Sequence, residues 1–259
     1  MNKFERMIDE CLYSIKTIIN PIFIMVILSV FTIGRSMGYY SWTELALNSF
    51  CGPFGIDDNS AIVLQWMCHQ IFIFYLIGNY FNHELNERYI YVILRQKSKF
   101  KWMFNRIIHI LILISFYYLF SFLFVGILGY ILPLNAKGDF FKQLMICTGF
   151  IEKSHYLIIV HMYLLIVLTT FVLGVFQIVI TLFTKNSVLP AIMVNLFILL
   201  SIGAASIGEG RNKYFLPNQA ILSKHNVSYF NFSYSYCYLL LFFIISLLLC
   251  VVCIKREEI

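Results

Sequence analysis

The groups in this chain that could do chemistry are few. Glu84 and Glu87 stand close together at the start of the stretch NHELNERYIYVILRQKSKFKWMFNR, residues 82–106, and Arg95, Lys97, Lys99 and Lys101 follow them. With His69 and His109 these carboxylates are what a membrane-embedded protease or acyl hydrolase would have to use. Such a site needs its groups converging at one depth, whereas Glu84 and Glu87 fall at the rim of an apolar run. His83-Glu84 is followed by Leu85, Asn86 and Glu87, so no HExxH metal motif forms. No GxxxxGK[ST] phosphate loop and no GxSxG nucleophile turn occurs. His155 and His161 are spaced wrongly for two ligands on one helical face. Cys250 and Cys253, in CVVC, sit inside an apolar run, where thiols behave as small hydrophobes. The expectation is a chain that is not an enzyme and holds no cofactor or metal of its own.

A second set of polar residues interrupts apolar stretches. Gln65, His69 and Gln70 cluster, Asn79 follows, and His109, Gln177 and Asn195 lie further on. Gln65 and His69 share a helical face. In lipid such groups turn to the bundle interior or to a polar cavity. They either bond neighbouring helices, at about 0.6–2 kcal/mol each, or line a pathway. The candidate lining residues are Gln65, His69, Asn79 and Asn195.

The elements that must position these groups follow from composition. Of 259 residues, 60% are hydrophobic and 12% charged. A soluble domain carries roughly 45–50% apolar and about 25% charged residues, so this chain could not cover its surface with charge. That excludes a soluble enzyme, a secreted disulfide scaffold and a disordered protein. Six apolar runs are visible: 21–37, 61–81, 107–132, 156–183, 188–207 and 236–254. They are too long and too uniformly apolar for barrel strands, and each approaches the about 20 residues of a bilayer span. The expected fold class is an all-α polytopic membrane protein of six transmembrane helices forming a single transmembrane domain, 1–259.

Six spans put both termini on one side. Grouping the N-terminus, the 82–106 loop, the turn after the fourth run and the C-terminus collects twelve basic residues, against seven on the other side. Basic residues favour the inner side, so both termini are expected in the cytoplasm and residues 208–235 outside, in a multi-pass protein of the cell membrane. Net charge is +6, but no basic stretch interleaved with exposed aromatics suggests nucleic acid. Two sequons, at Asn226 and Asn231, read as chance in what looks like an AT-rich bacterial gene, rich in Ile, Phe, Lys and Asn.

Residues 1–20 place Phe4, Ile8, Cys11, Leu12, Ile15 and Ile19 at helical spacing with charges mostly elsewhere, an amphipathic interfacial helix that Asn20-Pro21 separates from the first run. The 82–106 loop is longer than orientation requires. It reads either as topogenic charge drawn to anionic lipid or as a docking element for a cytoplasmic protein.

An amphipathic N-terminal helix, six spans with both ends inside and a long basic loop between spans two and three together resemble the ABC-2 type permease family. The residues that carry the resemblance are ERYIYVILRQKSKFKWMFNR, from Glu87 to Arg106, where Glu87, Arg95, Ser98 and Lys99 match a Glu, a short helix and a basic-Ser-basic element. The turn FTKNSVLPA, Phe183 to Ala191, and the segment YFLPNQAILSKH are similar to the family's turn between spans four and five and to the region before span six. Arg88 and Gln96 stand where members often have Gly or Pro. The resemblance implies the transmembrane subunit of an ATP-driven exporter, paired with a second permease, identical or homologous, and with a cytoplasmic ABC ATPase dimer that holds ATP and Mg. The 82–106 loop is then the coupling helix, with Glu87, Arg95, Lys97, Ser98 and Lys99 its contact residues, and spans two and five line the route. An amphipathic peptide is the expected substrate. The alternative is a membrane immunity or sensor protein that binds without pumping.

Overall fold

The structure, a computed structural model, describes residues 49–53, 60–85, 98–131, 155–186, 188–204, 209–225 and 230–256. The interfacial helix expected over 1–20, the first apolar run, and Glu87, Arg95 and Lys97 lie outside the described residues.

Five α-helices are described: α1 (Ser60–His83), α2 (Lys99–Ile131), α3 (His155–Thr184), α4 (Val188–Ala204) and α5 (Phe232–Arg256). Three short 3₁₀ segments, Glu209–Tyr214, Leu216–Ala220 and Leu222–Lys224, lie between α4 and α5. Among the described residues there is no strand. The all-helical class follows from the uniformly apolar runs, which would leave backbone groups unsatisfied in lipid in any open extended form.

Among the described residues, three helices are long and apolar enough to cross a membrane: Lys99–Ile127 of α2, Tyr156–Thr184 of α3 and Phe232–Lys255 of α5. Of the other two, α4 is apolar over its 17 described residues, and the apolar run of α1 carries Gln65, His69, Gln70, Asn79 and Asn82.

The third apolar run is expected from Ile107, yet α2 begins at Lys99. Ser98 explains the early start. Its Oγ accepts from the Lys101 N–H at 3.4 Å and its carbonyl accepts from the Trp102 N–H at 3.2 Å, an N-cap that satisfies donors the first turn leaves open. Residues 99–106 are therefore helix rather than loop.

α3 is the hub and packs on each of the other four α-helices. Gly174 lets them approach, since a Cβ there would sit 3.1 Å from Ile77 Cδ1 of α1, with Ile110 and Ile114 of α2 at 3.8 Å. Small residues are how helices close on one another where lipid supplies no hydrophobic drive. Ring and hydrogen-bond pairs set the directions. Gln70 meets Tyr118 while Tyr80 meets Arg106, so α1 and α2 are antiparallel. His161 meets Tyr236 while Phe171 lies against Phe243, so α3 and α5 are parallel.

The bundle thus has two ends. The stem end holds the finish of α1, the start of α2, the α3–α4 turn and the finish of α5. That turn is tight, as the FTKNSVLPA segment suggests. Lys185 takes a positive φ of 52° and its N–H closes on the Thr181 carbonyl at 2.8 Å. Asn186 Oδ1 then accepts from the N–H groups of Val188 at 2.8 Å and Leu189 at 3.3 Å and caps α4.

At the opposite, cap end, the stretch expected to be a loop, 208–235, is compact where it is described. Leu216–Ala220 is buried throughout against α3 and α4, and Phe232–Ser235 already belong to α5. Pro217 at the first turn and the short spacing of buried residues favour 3₁₀ turns over a helix. Residues 49–53 seat against this cap. Gly52 has φ +76°, and a Cβ on it would come within 3.0 Å of Ile221 and 3.3 Å of Trp66 Nε1, so both its backbone and its space call for glycine.

Candidate functional site

The stem end carries a buried charged cluster at the two roots of the basic segment. At Glu84 and Leu85 the end of α1 widens into a π turn, a distortion that recurs at functional positions. Glu84 is fully buried and Arg106 nearly so. Arg106 Nε lies 3.2 Å from Glu84 Oε2, and an Nη1 hydrogen is donated to the Tyr80 hydroxyl at 3.0 Å. The Tyr80 ring stacks on His109, with centroids 5.4 Å apart and planes 4° from parallel. Trp102, with no exposed surface, packs 6.0 Å from the Phe81 ring. Taking a carboxylate and a guanidinium out of water is costly, and the pair is retained only where geometry and added hydrogen bonds offset that cost. Here the guanidinium meets Tyr80 of α1 and Glu84 just past its end, and the result is a clamp joining the end of α1 to the first turns of α2.

Sequence reasoning counts Arg106 as topogenic and places Glu84 at a rim, and so misses this pair. The signal is present: two opposite charges bracket one intervening stretch between apolar runs, and an antiparallel hairpin brings such brackets together. Of the candidate coupling residues, Ser98 caps α2 and Lys99 opens its first turn. Between them and Leu85 the chain is outside the described residues.

The polar residues inside the bundle separate into two groups. Gln70 Nε2 donates to the Tyr118 hydroxyl at 3.1 Å, which in turn lies 3.2 Å from Thr170 Oγ1, linking α1, α2 and α3. Gln177 Nε2 of α3 donates to the Phe74 carbonyl of α1 at 2.9 Å, and the Tyr117 hydroxyl of α2 donates to the His69 carbonyl at 3.3 Å. These are bonds between neighbouring helices. The His69 side chain belongs with them in position. It is buried, its ring lies 5.7 Å from Phe50, and its Nδ1 has no hydrogen-bond partner among the described residues.

Asn79 and Asn195 belong elsewhere. Both line a groove of about 550 Å³ between α1 and α4, with Tyr75, Val188, Ile192 and Leu196 among its other walls. Asn195 Nδ2 donates to the Ala191 carbonyl of its own helix at 2.8 Å, and its Oδ1 has no partner among the described residues. Gln65 is half-buried and is not part of that lining. The structure therefore brings two of the four candidate lining residues together and sets His69 apart from them.

A second groove, about 630 Å³, runs between α2, α3 and α5 and is lined almost wholly by apolar side chains such as Phe104, Ile108, Leu111, Phe171, Leu240 and Phe243. Tyr236, near the cap end of α5, is part of the lining, its hydroxyl 2.9 Å from His161 Nδ1.

The cap end holds a third polar cluster. Lys224 Nζ donates to Asn218 Oδ1 at 3.0 Å, and Asn218 Nδ2 donates to the Ser201 and Asn212 carbonyls at 3.3 Å each. His225 Nδ1–H donates to the Ile221 carbonyl at 3.0 Å, so the neutral ring accepts the Ser235 hydroxyl hydrogen at Nε2, 2.8 Å away. Phe230 packs on the ring at 4.3 Å. Burial disfavours the imidazolium and lowers the His225 pKa to about 4. Among the described residues no group of three His, Cys, Asp or Glu could hold a metal ion.

What the fold and these clusters define is a protein that is helical where it is described, with three helices among the described residues long and apolar enough to cross a membrane. The chain belongs to the family described as protein of unknown function (DUF2705), whose model matches residues 22–259. No curated protein and no solved structure is similar enough to match.

Proposed function

We propose that this chain is the permease subunit of an ATP-driven exporter of the ABC-2 type, a six-span protein of the cell membrane with both termini in the cytoplasm. It pairs with a second permease and with a separate ATPase dimer that carries ATP and Mg, and it performs no hydrolysis itself. Its cargo is an amphipathic molecule, a peptide by preference, moved out of the cell or the membrane.

The observation that supports this reading most is the Glu84–Arg106 clamp. A segment that only marked orientation would not need its two roots joined by a buried ion pair. A segment that transmits force does, because a push on it is then delivered to α1 and α2 as one body. In this reading Arg95, Lys97 and Lys99 seat the segment on the ATPase and Glu87 sets it at the membrane edge. ATP binding closes the ATPase pair, and the clamp carries that motion into α1, one wall of the groove that holds Asn79 and Asn195. A mostly apolar groove with two amides and a tyrosine suits an amphipathic substrate and suits a small ion poorly.

The reading is tested by charge reversal at Lys97 and Lys99. The double variant Lys97→Glu/Lys99→Glu is expected to insert normally but to lose ATPase co-purification and transport by about tenfold or more. Normal co-purification and transport would leave the basic cluster a topogenic signal only.

A further inference from the structure

The apolar groove between α2, α3 and α5 plays no part in the transport reading, and each of its three helices has a described stretch long and apolar enough to cross a membrane. Its walls expose Phe104 and Ile108 on α2 and Leu240 on α5. Toward the cap end its lining includes Tyr236. The helix register sets which residues stand at its other end. On α2, Ile110 lies beside Gly174 of α3, and the two helices are antiparallel, so moving along α2 toward its start moves along α3 toward its finish. On the parallel pair, Phe171 of α3 lies against Phe243 of α5. Carrying both offsets to the stem end puts Lys101 of α2 level with Phe183 of α3 and Lys255 of α5. Both lysines are exposed. Lys101 precedes Phe104 and Ile108 at i, i+3 and i+7, on one edge of the groove face. Lysine stems reach along apolar surface while the ammonium stays at the interface.

From this placement we propose that the groove binds one anionic phospholipid of the surrounding leaflet, its acyl chain between α2, α3 and α5 and its phosphate between Lys101 and Lys255. Charge complementarity selects this occupant. A wholly apolar slot would take an acyl chain from any lipid, and two cations at one mouth with an uncharged phenol at the other add a preference for a negative headgroup at the stem end. A second copy of the chain would instead bring its own Lys101 and Lys255 toward the same mouth about a twofold axis, like charge against like. The inference does not depend on the transport reading, since it uses only the three apolar helices and their ends.

The test uses the full chain reconstituted in bilayers of phosphatidylcholine and phosphatidylglycerol in equal parts, extracted gently, with retained lipid counted by native mass spectrometry. The expected result is one tightly retained lipid per chain, phosphatidylglycerol in preference to phosphatidylcholine. A lysine near an anionic lipid surface is worth about fivefold in binding, so Lys101→Ala/Lys255→Ala should erase the preference while Lys101→Arg/Lys255→Arg keeps it. Leu240→Trp, which fills the slot, should lower retention of both lipids, and Leu196→Trp in the other groove should not. Equal retention of the two lipids by the unaltered chain would overturn the proposal. So would a preference that survives the double alanine variant, or a retained second copy of the chain in place of lipid.

Discussion

The two grooves of this bundle are of similar size and differ in kind. One, between α1 and α4, mixes apolar walls with Tyr75, Asn79 and Asn195; the other, between α2, α3 and α5, is almost bare of polar atoms. The helices behind them differ in the same way. The apolar groove is framed by α2, α3 and α5, whose described stretches are long and apolar enough to cross a membrane, and the mixed groove by α1, whose apolar run carries amides and a histidine, and by α4 with Asn195. A helix surface that meets hydrocarbon or apolar neighbours is free to be uniformly apolar. A helix that carries amides on an open face needs something other than hydrocarbon against it. That contrast is why the mixed groove is read as a route and the apolar one as a lipid seat.

The most damaging change should be at the clamp that fixes α1 against α2 and so sets the two grooves relative to each other. Arg106→Ala leaves the Glu84 carboxylate buried without its guanidinium. Breaking one side of a buried pair costs about 3–5 kcal/mol, so a marked drop in folded protein after detergent extraction and a lowered midpoint in a thermal-shift assay are expected. Replacing both partners, Glu84→Gln/Arg106→Met, should recover much of that loss in stability while removing the ion pair that joins the roots of the basic segment.

Acid should act at the cap. His225 is held neutral with a pKa of about 4, against an ordinary value of 6.5. An opened cap binds a proton that the closed cap does not, so its stabilisation is complete above about pH 6.5 and falls away as pH drops toward 4. At about 1.4 kcal/mol for each unit, the full change is about 3 kcal/mol. Hydrogen exchange of residues 216–225 should accelerate between pH 6.5 and 4, and His225→Gln should flatten that dependence.

Filling one groove at a time sharpens the comparison with little expected cost in stability, since Leu196 and Leu240 are both exposed. Leu196→Trp should impair transport severalfold. Leu240→Trp should leave transport within about twofold of normal. Cell survival under an exported peptide would read both, and equal effects would mean that the grooves do not differ in role.

Much of this architecture is legible in the sequence because apolar run length and helix length are tied by the rise per residue. Runs two to six each fall on a described helix. The α3–α4 turn is visible in Lys185-Asn186, where an amide side chain is well suited to cap the next helix. The interior polar bonds are visible as a class, but their partners are not. That Gln70 reaches Tyr118 and Gln177 reaches a backbone carbonyl depends on how helices rotate about their axes, which uniformly apolar surroundings do not record. The same blindness groups His69 with Asn195, although one turns inward and the other to an open groove. The cap looks like a loop in the sequence because its burial comes from tertiary packing on α3 and α4 rather than from any periodicity of its own. Ser98 looks like part of a contact element, and its capping of α2 is a local role that the same residue type explains.

The central claim, that the α1–α4 groove carries substrate, is tested most directly by peptide-stimulated ATP hydrolysis in the reconstituted permease–ATPase complex, with Asn195→Ala and His69→Ala side by side. His69 is packed inside the bundle, so His69→Ala should lose about 2 kcal/mol of stability through the space it leaves, while the complex that does assemble responds to peptide as the unaltered one does. Asn195→Ala should express and assemble normally, and the peptide concentration that gives half-maximal stimulation should shift by about threefold or more. If Asn195→Ala leaves the stimulation curve unchanged, or if His69→Ala shifts it and Asn195→Ala does not, the groove is not the route.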